Sequence, residues 1–164
     1  MQGTAAQGLP NMTAEVSLQD IVAAMDLPNA EWASYLDPET GEIVTVTDED
    51  RRLLEEPVDV EELPDWQQEI LPKIHEALES ERFLQLPTPF DIHEWAIMER
   101  FAHSRSTPKE RDELLAAIHG SGAFQRFRHA IQQLGIEEDW YGFRQSAFEE
   151  IAKAWLEAHH IPYR

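Results

Sequence analysis

The sequence contains no cysteine among its 164 residues. Disulfides, thiol nucleophiles and cysteine-ligated zinc are therefore excluded. No apolar run approaches the roughly 20 residues that a membrane-spanning helix needs. Residues 1–11 have neither a basic region nor an apolar region of the kind found in signal peptides. We therefore predict no signal peptide, and we expect residues 1–15 to form a flexible leader.

Basic residues are also scarce, with 13 Lys and Arg against 32 Asp and Glu, which gives a formal net charge of −19. The imbalance is concentrated in residues 1–90, which hold 20 acids and 4 bases. Because nucleic acids and anionic membranes are polyanions, this charge repels both, and we expect neither as a direct partner. A protein partner with a basic surface is the sharper expectation, while high solubility is the simpler explanation. The lack of cysteine and of a signal peptide predicts a cytoplasmic location.

The chain is nevertheless rich in apolar residues: 42% are hydrophobic and five are Trp. This composition and length favour a single domain over residues 16–164. The predicted fold class is mainly α (α+β), a helical cluster of about five to six helices with one N-terminal β-hairpin. Residues 16–56 are expected to form a helix, a hairpin and a second short helix. Residues 57–65 are expected to form an acidic connector, and residues 66–164 the helical cluster.

The hairpin is the strongest local prediction. Residues 32–36 and 43–47 are short runs rich in aromatic and β-branched residues, which favour strands. Between them, Pro38 suits the first turning position and Gly41 supplies a positive φ. A two-stranded ribbon is marginal in water by itself. We therefore expect it to lie on helices or to pair with another sheet edge, which includes a homodimer formed through the hairpin.

Helix boundaries in the cluster are predicted from capping residues and prolines. Asp91 is expected to cap one helix, with Glu94 completing a capping box. Thr107 is expected to cap the next, with Glu110 reaching back in the same way. Pro72 lies inside an earlier helical pattern, which is expected to form one element with an irregular first half. A kink at Pro72 and a helix that starts beside it are the alternatives.

A glycine-rich turn before an aromatic helix is the main candidate ligand site. Gly120, Ser121 and Gly122 precede a helix whose start presents backbone N–H groups. Arg126 and Arg128 alternate with the apolar residues of that helix. Together these residues form a candidate site for a phosphate or carboxylate group. The alternative is that the glycines make a tight turn and the arginines pair with the acidic N-terminal half.

No pattern typical of a metal site or of a catalytic site is found in the sequence. His93 with Glu94, and His159 with His160, lack the helical spacing and the distant third ligand of a zinc site. No nucleophile elbow, phosphate-binding loop with lysine or dinucleotide fingerprint occurs. We therefore predict no metal site, no cofactor and no catalytic residues, and we favour a protein without enzymatic activity.

Aromatic residues near acidic segments are candidates for contact with a partner protein. We assign this role to Trp32, Tyr35 and Trp66, and above all to the two tryptophans, which flank acidic loops. Tryptophan often dominates the energetics of protein interfaces. Burial in the core is the alternative for each of the three.

Several short segments in a fixed order resemble one of the bacterial uncharacterised protein families. They are Asp-Pro-Glu-Thr-Gly-Glu at residues 37–42, Phe-Leu-Gln-Leu-Pro at residues 83–87, Gly-Ala-Phe-Gln-Arg-Phe-Arg at residues 122–128, and Trp-Tyr-x-Phe-Arg…Ala-x-x-Trp-Leu at residues 140–156 of the final helix. The similarity spans nearly the whole chain, from about Val16 to Tyr163. The resemblance implies a bacterial cytoplasmic protein with no assigned activity, and it carries over no catalytic residues.

Three hypotheses for function follow from the sequence. The leading one is a non-enzymatic protein–protein interaction or regulatory protein that uses an acidic surface. The alternative is a binding module for a phosphorylated or nucleic-acid ligand, which would bind through residues 120–128. The third is an enzyme whose site is assembled from distant acids and histidines.

Overall fold

The computed structural model describes residues 13–56 and 59–164. Most of the predicted leader (residues 1–12) and part of the predicted connector (residues 57–58) lie outside the described residues. The chain divides into two compact units. The first unit comprises the residues up to Pro89 together with Ala152–Arg164, and the second comprises Phe90–Ile151.

The first unit begins with helix α1, Leu18–Met25, whose start is fixed by Ser17. The Ser17 hydroxyl accepts a hydrogen bond from the Asp20 N–H at 3.4 Å, which pairs one of the free donors of the first turn. The helix buries a single face, whose residues recur at three- and four-residue spacing: Leu18, Ile21, Val22 and Met25.

The predicted hairpin forms strands β1 (Ala33–Leu36) and β2 (Ile43–Val46), which are antiparallel. Its turn requires Gly41, because the φ of +81° at this position would strain any side chain. A short third strand, β3 (Leu84–Gln85), pairs with the other side of β1, so the strand order is β2-β1-β3.

The prediction of one N-terminal hairpin was therefore incomplete, because the sheet takes its third strand from a distant part of the sequence. The two residues of β3 are too few to show the alternating pattern of a strand. Pairing at this side satisfies the outward backbone groups of β1, and the Leu86 N–H continues it by donating to the Ser34 carbonyl at 2.9 Å.

Helix α3 (Asp65–Glu79) packs on one face of the sheet and continues through Pro72 without interruption. This confirms one element rather than a helix that starts beside the proline. The buried cluster between helix and sheet consists of Val44, Val46, Ile74, Ala77 and Phe83. Burial of a large apolar side chain is worth roughly 1.5–3 kcal/mol. This cluster therefore holds α3 beside β2.

An ion pair between a buried carboxylate and a partly exposed arginine fixes the hairpin turn. Asp37 is 2% exposed, and Arg82 donates to it from Nε and from Nη2, each at 3.0 Å. Burial alone would raise the pKa of Asp37, but hydrogen bonds from Arg82, the Glu39 N–H and Thr40 hold the pKa below its ordinary value of 3.8. The same guanidinium contacts Glu76 of α3 at 2.9 Å, so it ties the turn to that helix.

The two chain segments of the first unit are joined by a parallel bridge between Val16 and Tyr163. The Val16 N–H donates to the Pro162 carbonyl and the Arg164 N–H donates to the Val16 carbonyl, each at 3.0 Å. The Leu18 N–H also donates to the Arg164 carbonyl, at 3.1 Å. Residues 161–164 are therefore part of the first unit's hydrogen-bonded structure.

The second unit is built from helices α4 (Glu94–Ser104), α5 (Pro108–Ala117) and α6 (Ala123–Leu134), and from α7 (Glu137–Ala158) as far as Ile151. Its core contains a group of edge-to-face aromatic rings. The ring of Phe101 lies 6.3 Å from that of Phe127 and 5.3 Å from those of Trp140 and Phe143. Such contacts stabilise a core beyond the burial of area alone.

Two predicted helix starts in this unit differ from the structure. A single helical turn, Pro89–Ile92, contains Asp91; His93 then adopts a φ of +54°, and α4 begins only at Glu94. Thr107 does precede α5, but its side chain makes no capping hydrogen bond. The Glu110 carboxylate, which was expected to reach back, is held by Arg105 at 2.8 Å instead.

Seven helices of eight residues or more occur in the described residues, so the predicted number of five to six was too low. Helix α2 (Asp48–Glu55) is the second short helix that was expected within residues 16–56, and no core-facing side fixes it, because it buries none of its residues. It is fixed by a capping box at Thr47 instead. A short 3-10 helix, Val60–Glu62, follows in the region of the predicted connector.

None of the helices described here is both long enough and apolar enough to cross a membrane.

Candidate functional site

An exposed aromatic groove runs along β2 in the first unit. Trp66 is 64% exposed in the first turn of α3, and Ile70 follows one turn later at 36%. Together with Thr45 of β2, these side chains line two adjoining cavities of about 470 and 390 Å³. Trp32 lines the second cavity, and its indole N–H donates to Asp48 Oδ1 at 3.1 Å.

Acidic side chains surround these aromatic and apolar residues. Five carboxylates line the two cavities: Glu42, Asp48, Glu49, Asp50 and Glu69. Lys73 also lines the first cavity, and its hydrogen bond to Glu42 at 2.9 Å raises the pKa of Lys73 above its ordinary value of 10.5. We call this surface the β2 groove, defined by the five carboxylates together with Trp32, Ile43, Thr45, Trp66 and Ile70.

Three of the carboxylates are positioned by the start of α2. The Thr47 hydroxyl accepts a hydrogen bond from the Asp50 N–H at 3.1 Å, and the Asp50 carboxylate accepts one from the Thr47 N–H at 3.0 Å. This capping box places Asp48, Glu49 and Asp50 in the first helical turn, where the helix dipole stabilises negative charge. The negative charge of the β2 groove is thus fixed by local structure.

The β2 strand lies at one end of the strand order, so its outer side is a sheet edge. The Asp37 N–H donates to the Glu42 carbonyl at 2.8 Å, which places Ile43 and Thr45 at the non-hydrogen-bonded positions opposite β1. The backbone N–H and C=O groups of these two residues therefore point away from β1. An edge of this kind can accept another extended chain as an added strand.

The three predicted interaction residues do not lie together. Trp32 and Trp66 line the β2 groove, whereas Tyr35 packs against the buried cluster under α3. The Tyr35 hydroxyl accepts a hydrogen bond from Arg51 Nη2 at 3.3 Å.

Sequence reasoning missed Ile70 and the outward register of β2. The buried residues of α3 are Leu71, Ile74 and Ala77, whereas Ile70 is 36% exposed. The sequence did contain a sign of this exposure. Trp66 and Ile70 widen the apolar side of α3 beyond the face formed by its buried residues. Which backbone groups of β2 point away from β1 depends on which residue pair beside the turn is hydrogen-bonded. The sequence does not show which pair this is.

In the second predicted site, residues 120–128, the two arginines have different surroundings and do not form one site. Arg126 folds back over the turn and donates to the backbone carbonyls of Ala117, His119 and Ser121, with a distance of 3.1 Å from Nε to Ala117 O. These carbonyls lie at the end of α5 and just after it, where a helix leaves its acceptors unpaired. The Arg126 guanidinium therefore caps α5.

The glycines of the turn leave room for this guanidinium. Gly120 and Gly122 adopt φ values of +81° and +78°. A Cβ atom on Gly122 would lie 3.2 Å from Arg126 Nη1, and one on Gly120 would lie 3.8 Å from Nη2. Ser121 is exposed between them and contributes its carbonyl. The positive φ values and these contacts explain why glycine occurs at both positions without any bound ligand.

Arg128 lines a cavity of about 350 Å³ within the second unit. Helices α4, α6 and α7 contribute the buried apolar side chains of this cavity, which are Met98, Phe127, Ile131 and Trp140. Two partly exposed rings, Phe124 at 50% and Tyr141 at 57%, also line it. We call this cavity, with these residues and Arg128, the α6 pocket.

Four charged side chains line the α6 pocket, two of each sign. Arg144 Nε donates to Glu94 Oε1 at 2.5 Å, and the Arg144 guanidinium lies 4.3 Å from the ring centroid of Phe148. Arg128 and Glu137 are the other two. In the part of the chain that the structure describes, neither of these forms an ion pair. Sequence reasoning named Arg128 but missed Glu137 and Tyr141, which come from a different helix.

Across residues 13–56 and 59–164, no group of three or more His, Asp or Glu side chains is arranged to hold a metal ion. Two of the histidines that were considered as metal ligands in the sequence contact aromatic residues. His159 Nδ1 lies 2.8 Å from the Trp155 carbonyl, with its ring centroid 4.4 Å from that of Trp155. The ring of His93 lies 5.5 Å from that of Phe90.

Comparison with known families gives one match over nearly the whole chain. The model of a family described as Uncharacterised protein family (UPF0158) matches residues 14–163. No curated protein and no solved structure matches the chain.

Proposed function

The chain belongs to the uncharacterised protein family UPF0158, and we propose that it is a non-enzymatic interaction protein of the cytoplasm whose β2 groove binds an extended basic segment of another protein. The observation that carries this proposal is the outward edge of β2 beside Trp66 and Ile70, inside a ring of five carboxylates. The proposal concerns the first unit alone.

An extended segment matches this surface in three respects. Its backbone can pair with the outward N–H and C=O groups of Ile43 and Thr45. Because side chains alternate along a strand, every second residue of the segment can contact Trp66 and Ile70. Lysine or arginine at the intervening positions can approach the carboxylates that line the groove, which would favour a basic partner through charge complementarity.

The energetic contributions of these contacts differ. A well-packed tryptophan at an interface commonly contributes 2 kcal/mol or more, so Trp66 is expected to be the main anchor. The carboxylates are solvent-exposed for the most part, and exposed charges mainly raise the association rate and select against acidic partners. We therefore expect affinity to depend on Trp66 and selectivity to depend on the acids.

A second copy of the chain is the alternative occupant of the same edge. A homodimer through the hairpin would extend the sheet, but it would bring two acidic surfaces together, and like charges at an interface oppose association. This is why we place a basic segment, and not a second copy, in the β2 groove.

Binding of a phosphorylated or nucleic-acid ligand through Gly120, Ser121, Gly122, Arg126 and Arg128 is not part of the proposal. Arg126 already donates to three backbone carbonyls, so it would have to leave the end of α5 to bind an anion. That departure would give up three hydrogen bonds to solvent-exposed carbonyls, each worth about 0.5–1.5 kcal/mol.

The test is a selection of random peptides of about ten residues, long enough to span one strand, on the immobilised full-length chain. Synthetic versions of the selected peptides are then measured by fluorescence anisotropy. We expect alternating apolar and basic residues among the selected peptides. Trp66→Ala should weaken their binding by about tenfold or more. Phe90→Ala is the matched control, because Phe90 is 80% exposed and lies outside the groove.

Thr45→Pro tests strand addition directly. The Thr45 N–H points away from β1, so proline removes an outward donor and leaves the backbone bonds between β1 and β2 in place. The side-chain hydrogen bond between Thr45 and Ser34 is lost in this variant. We expect a folded protein, checked by circular dichroism, that no longer binds the peptides. Selected peptides without basic residues, or equal binding by the Trp66→Ala chain, would overturn the proposal. A concentration-dependent dimer that Thr45→Pro abolishes, seen by sedimentation velocity, would assign the edge to a second copy instead.

A further inference from the structure

The α6 pocket lies in the second unit and has no role in the proposed interaction. We propose that it binds a small zwitterion, namely a free amino acid with an apolar or aromatic side chain. Its volume of about 350 Å³ lies within the range of small-molecule sites, which are largely apolar with a few placed polar groups.

The apolar part of the ligand is accounted for by the buried lining. Phe127, Ile131 and Trp140 are each exposed by 8% or less, yet they border the cavity. Phe124 and Tyr141 stand half-exposed beside them. A bound aromatic or aliphatic side chain would cover these rings and remove apolar surface from water, which favours binding.

The charges of the ligand are inferred from the charged side chains of the pocket that have no ion-pair partner among the described residues. Arg144 is hydrogen-bonded to Glu94 and lies over the Phe148 ring, so these two charges satisfy each other. Arg128 and Glu137 carry opposite charges and line the same cavity without forming an ion pair in the described residues. Two opposite charges on the lining of one cavity suit a ligand that has both a carboxylate and an ammonium group.

A ligand with a single charge matches the pocket less well. A simple carboxylate would pair with Arg128 but face the Glu137 carboxylate, and a simple amine would do the reverse. A zwitterion pairs with both side chains at once. The Gln132 amide, which also lines the cavity, offers a further donor and acceptor.

The test is a ¹H–¹⁵N NMR titration of the full chain with four probes. They are L-phenylalanine, 3-phenylpropionate, phenethylamine and inorganic phosphate, which separate the two charges from the ring. We expect saturable shifts at residues that line the α6 pocket with L-phenylalanine. Each singly charged analogue should bind about tenfold or more weakly, since one charged contact is lost, and phosphate should not shift these residues.

Two variants assign the charges. Arg128→Gln should weaken L-phenylalanine and 3-phenylpropionate but not phenethylamine, and Glu137→Gln should weaken L-phenylalanine and phenethylamine but not 3-phenylpropionate. Arg100→Gln and Glu138→Gln are the controls, because both side chains are exposed and neither lines the cavity. Equal binding of the three organic probes, no saturable shift, or variants that act like their controls would overturn the proposal.

Discussion

Charged residues in this protein hold the backbone at two turns. Asp37 accepts hydrogen bonds within the hairpin turn and from Arg82, and it is almost fully buried while doing so. Arg126 donates to the carbonyls that follow α5. Both were predicted from sequence only as members of a turn or of a ligand site. The hydrogen-bond partners of these two side chains could not be identified from spacing in the sequence, because each side chain could reach several groups.

Replacement of Asp37 by asparagine should lower the free energy of unfolding at neutral pH by about 1–3 kcal/mol. Asparagine is uncharged and has one acceptor oxygen in place of two, so the Arg82 guanidinium loses its carboxylate partner and one of its two hydrogen bonds at this buried position. The pKa of Asp37 is lower in the folded state than its ordinary value of 3.8. Its stabilisation is therefore present above that value and is lost as the pH falls through the lower, folded-state pKa. Urea denaturation of both chains over a pH series measures this.

The expected result is a difference between wild type and Asp37→Asn that shrinks as the solution becomes more acidic than about pH 4. Glu31→Gln serves as the control, since Glu31 is exposed and its substitution should change stability little at any pH. A difference that stays constant into strongly acidic solution would contradict the role given to the Asp37 carboxylate.

At the scale of single elements, helices and strands with a local cause were predictable, and those with a distant cause were not. The hairpin follows from Pro38 and Gly41 between two β-favouring runs. Strand β3 forms only because it pairs with β1, and its two residues are too few to show a strand pattern in the sequence. The start of α4 was misplaced because Asp91 and Glu94 have the spacing of a capping box, whereas in the structure Asp91 lies in the preceding helical turn and His93 breaks the helical pattern before α4.

The same contrast applies to the candidate sites. Trp32 and Trp66 could be chosen from sequence because acidic segments flank them. Arg128 could be chosen because it lies on the polar side of a helix. Glu137 could not be linked to Arg128, since helix packing and not sequence spacing brings the two to one cavity. A pocket formed by three helices is a property of their packing.

Helix α3 offers a test at this scale, because Pro72 lies inside it and is exposed. Proline has no N–H to donate to the carbonyl of Gln68 and crowds the preceding turn. Pro72→Ala should therefore raise the free energy of unfolding by about 1–2 kcal/mol, less than the full helix-interior penalty because proline also restricts the unfolded chain. Thermal denaturation followed by circular dichroism measures the change.

His75→Ala is the matched control on the same helix, since His75 is exposed and its substitution removes no proline. It should change the unfolding free energy by no more than about 0.5 kcal/mol. A Pro72→Ala chain that is less stable than wild type would contradict the expectation, because it would show that Pro72 stabilises the folded chain.

For the molecule as a whole, the main feature is the uneven distribution of charge. The net charge is −19, and residues 1–90 hold 20 of the 32 acids but only 4 of the 13 bases. In the first unit Arg82 engages Asp37 and Lys73 engages Glu42, but the other four carboxylates of the β2 groove line the same two adjoining cavities. Their mutual repulsion opposes folding and is screened by salt.

Thermal stability should therefore rise as sodium chloride is increased from about 20 to about 200 mM at neutral pH, because screening weakens the repulsion. Differential scanning calorimetry measures the midpoint. The same series near the sequence pI of about 4.5 is the control, since the net charge is small there and the salt effect should largely vanish. A midpoint that falls with salt at neutral pH would show that attractive ion pairs outweigh the repulsion.

The bridge between Val16 and Tyr163 bears on how the protein is made by the ribosome. The second unit comes from one uninterrupted stretch, Phe90–Ile151, so all of its residues are available as soon as that stretch has emerged. The first unit needs residues 16–18 and residues 161–164 together, and the ribosome produces these far apart in time. The early segment must therefore wait, unpaired, while the intervening helices are synthesised. The first unit, which contains the β2 groove, can therefore be completed only after residues 161–164 have been synthesised.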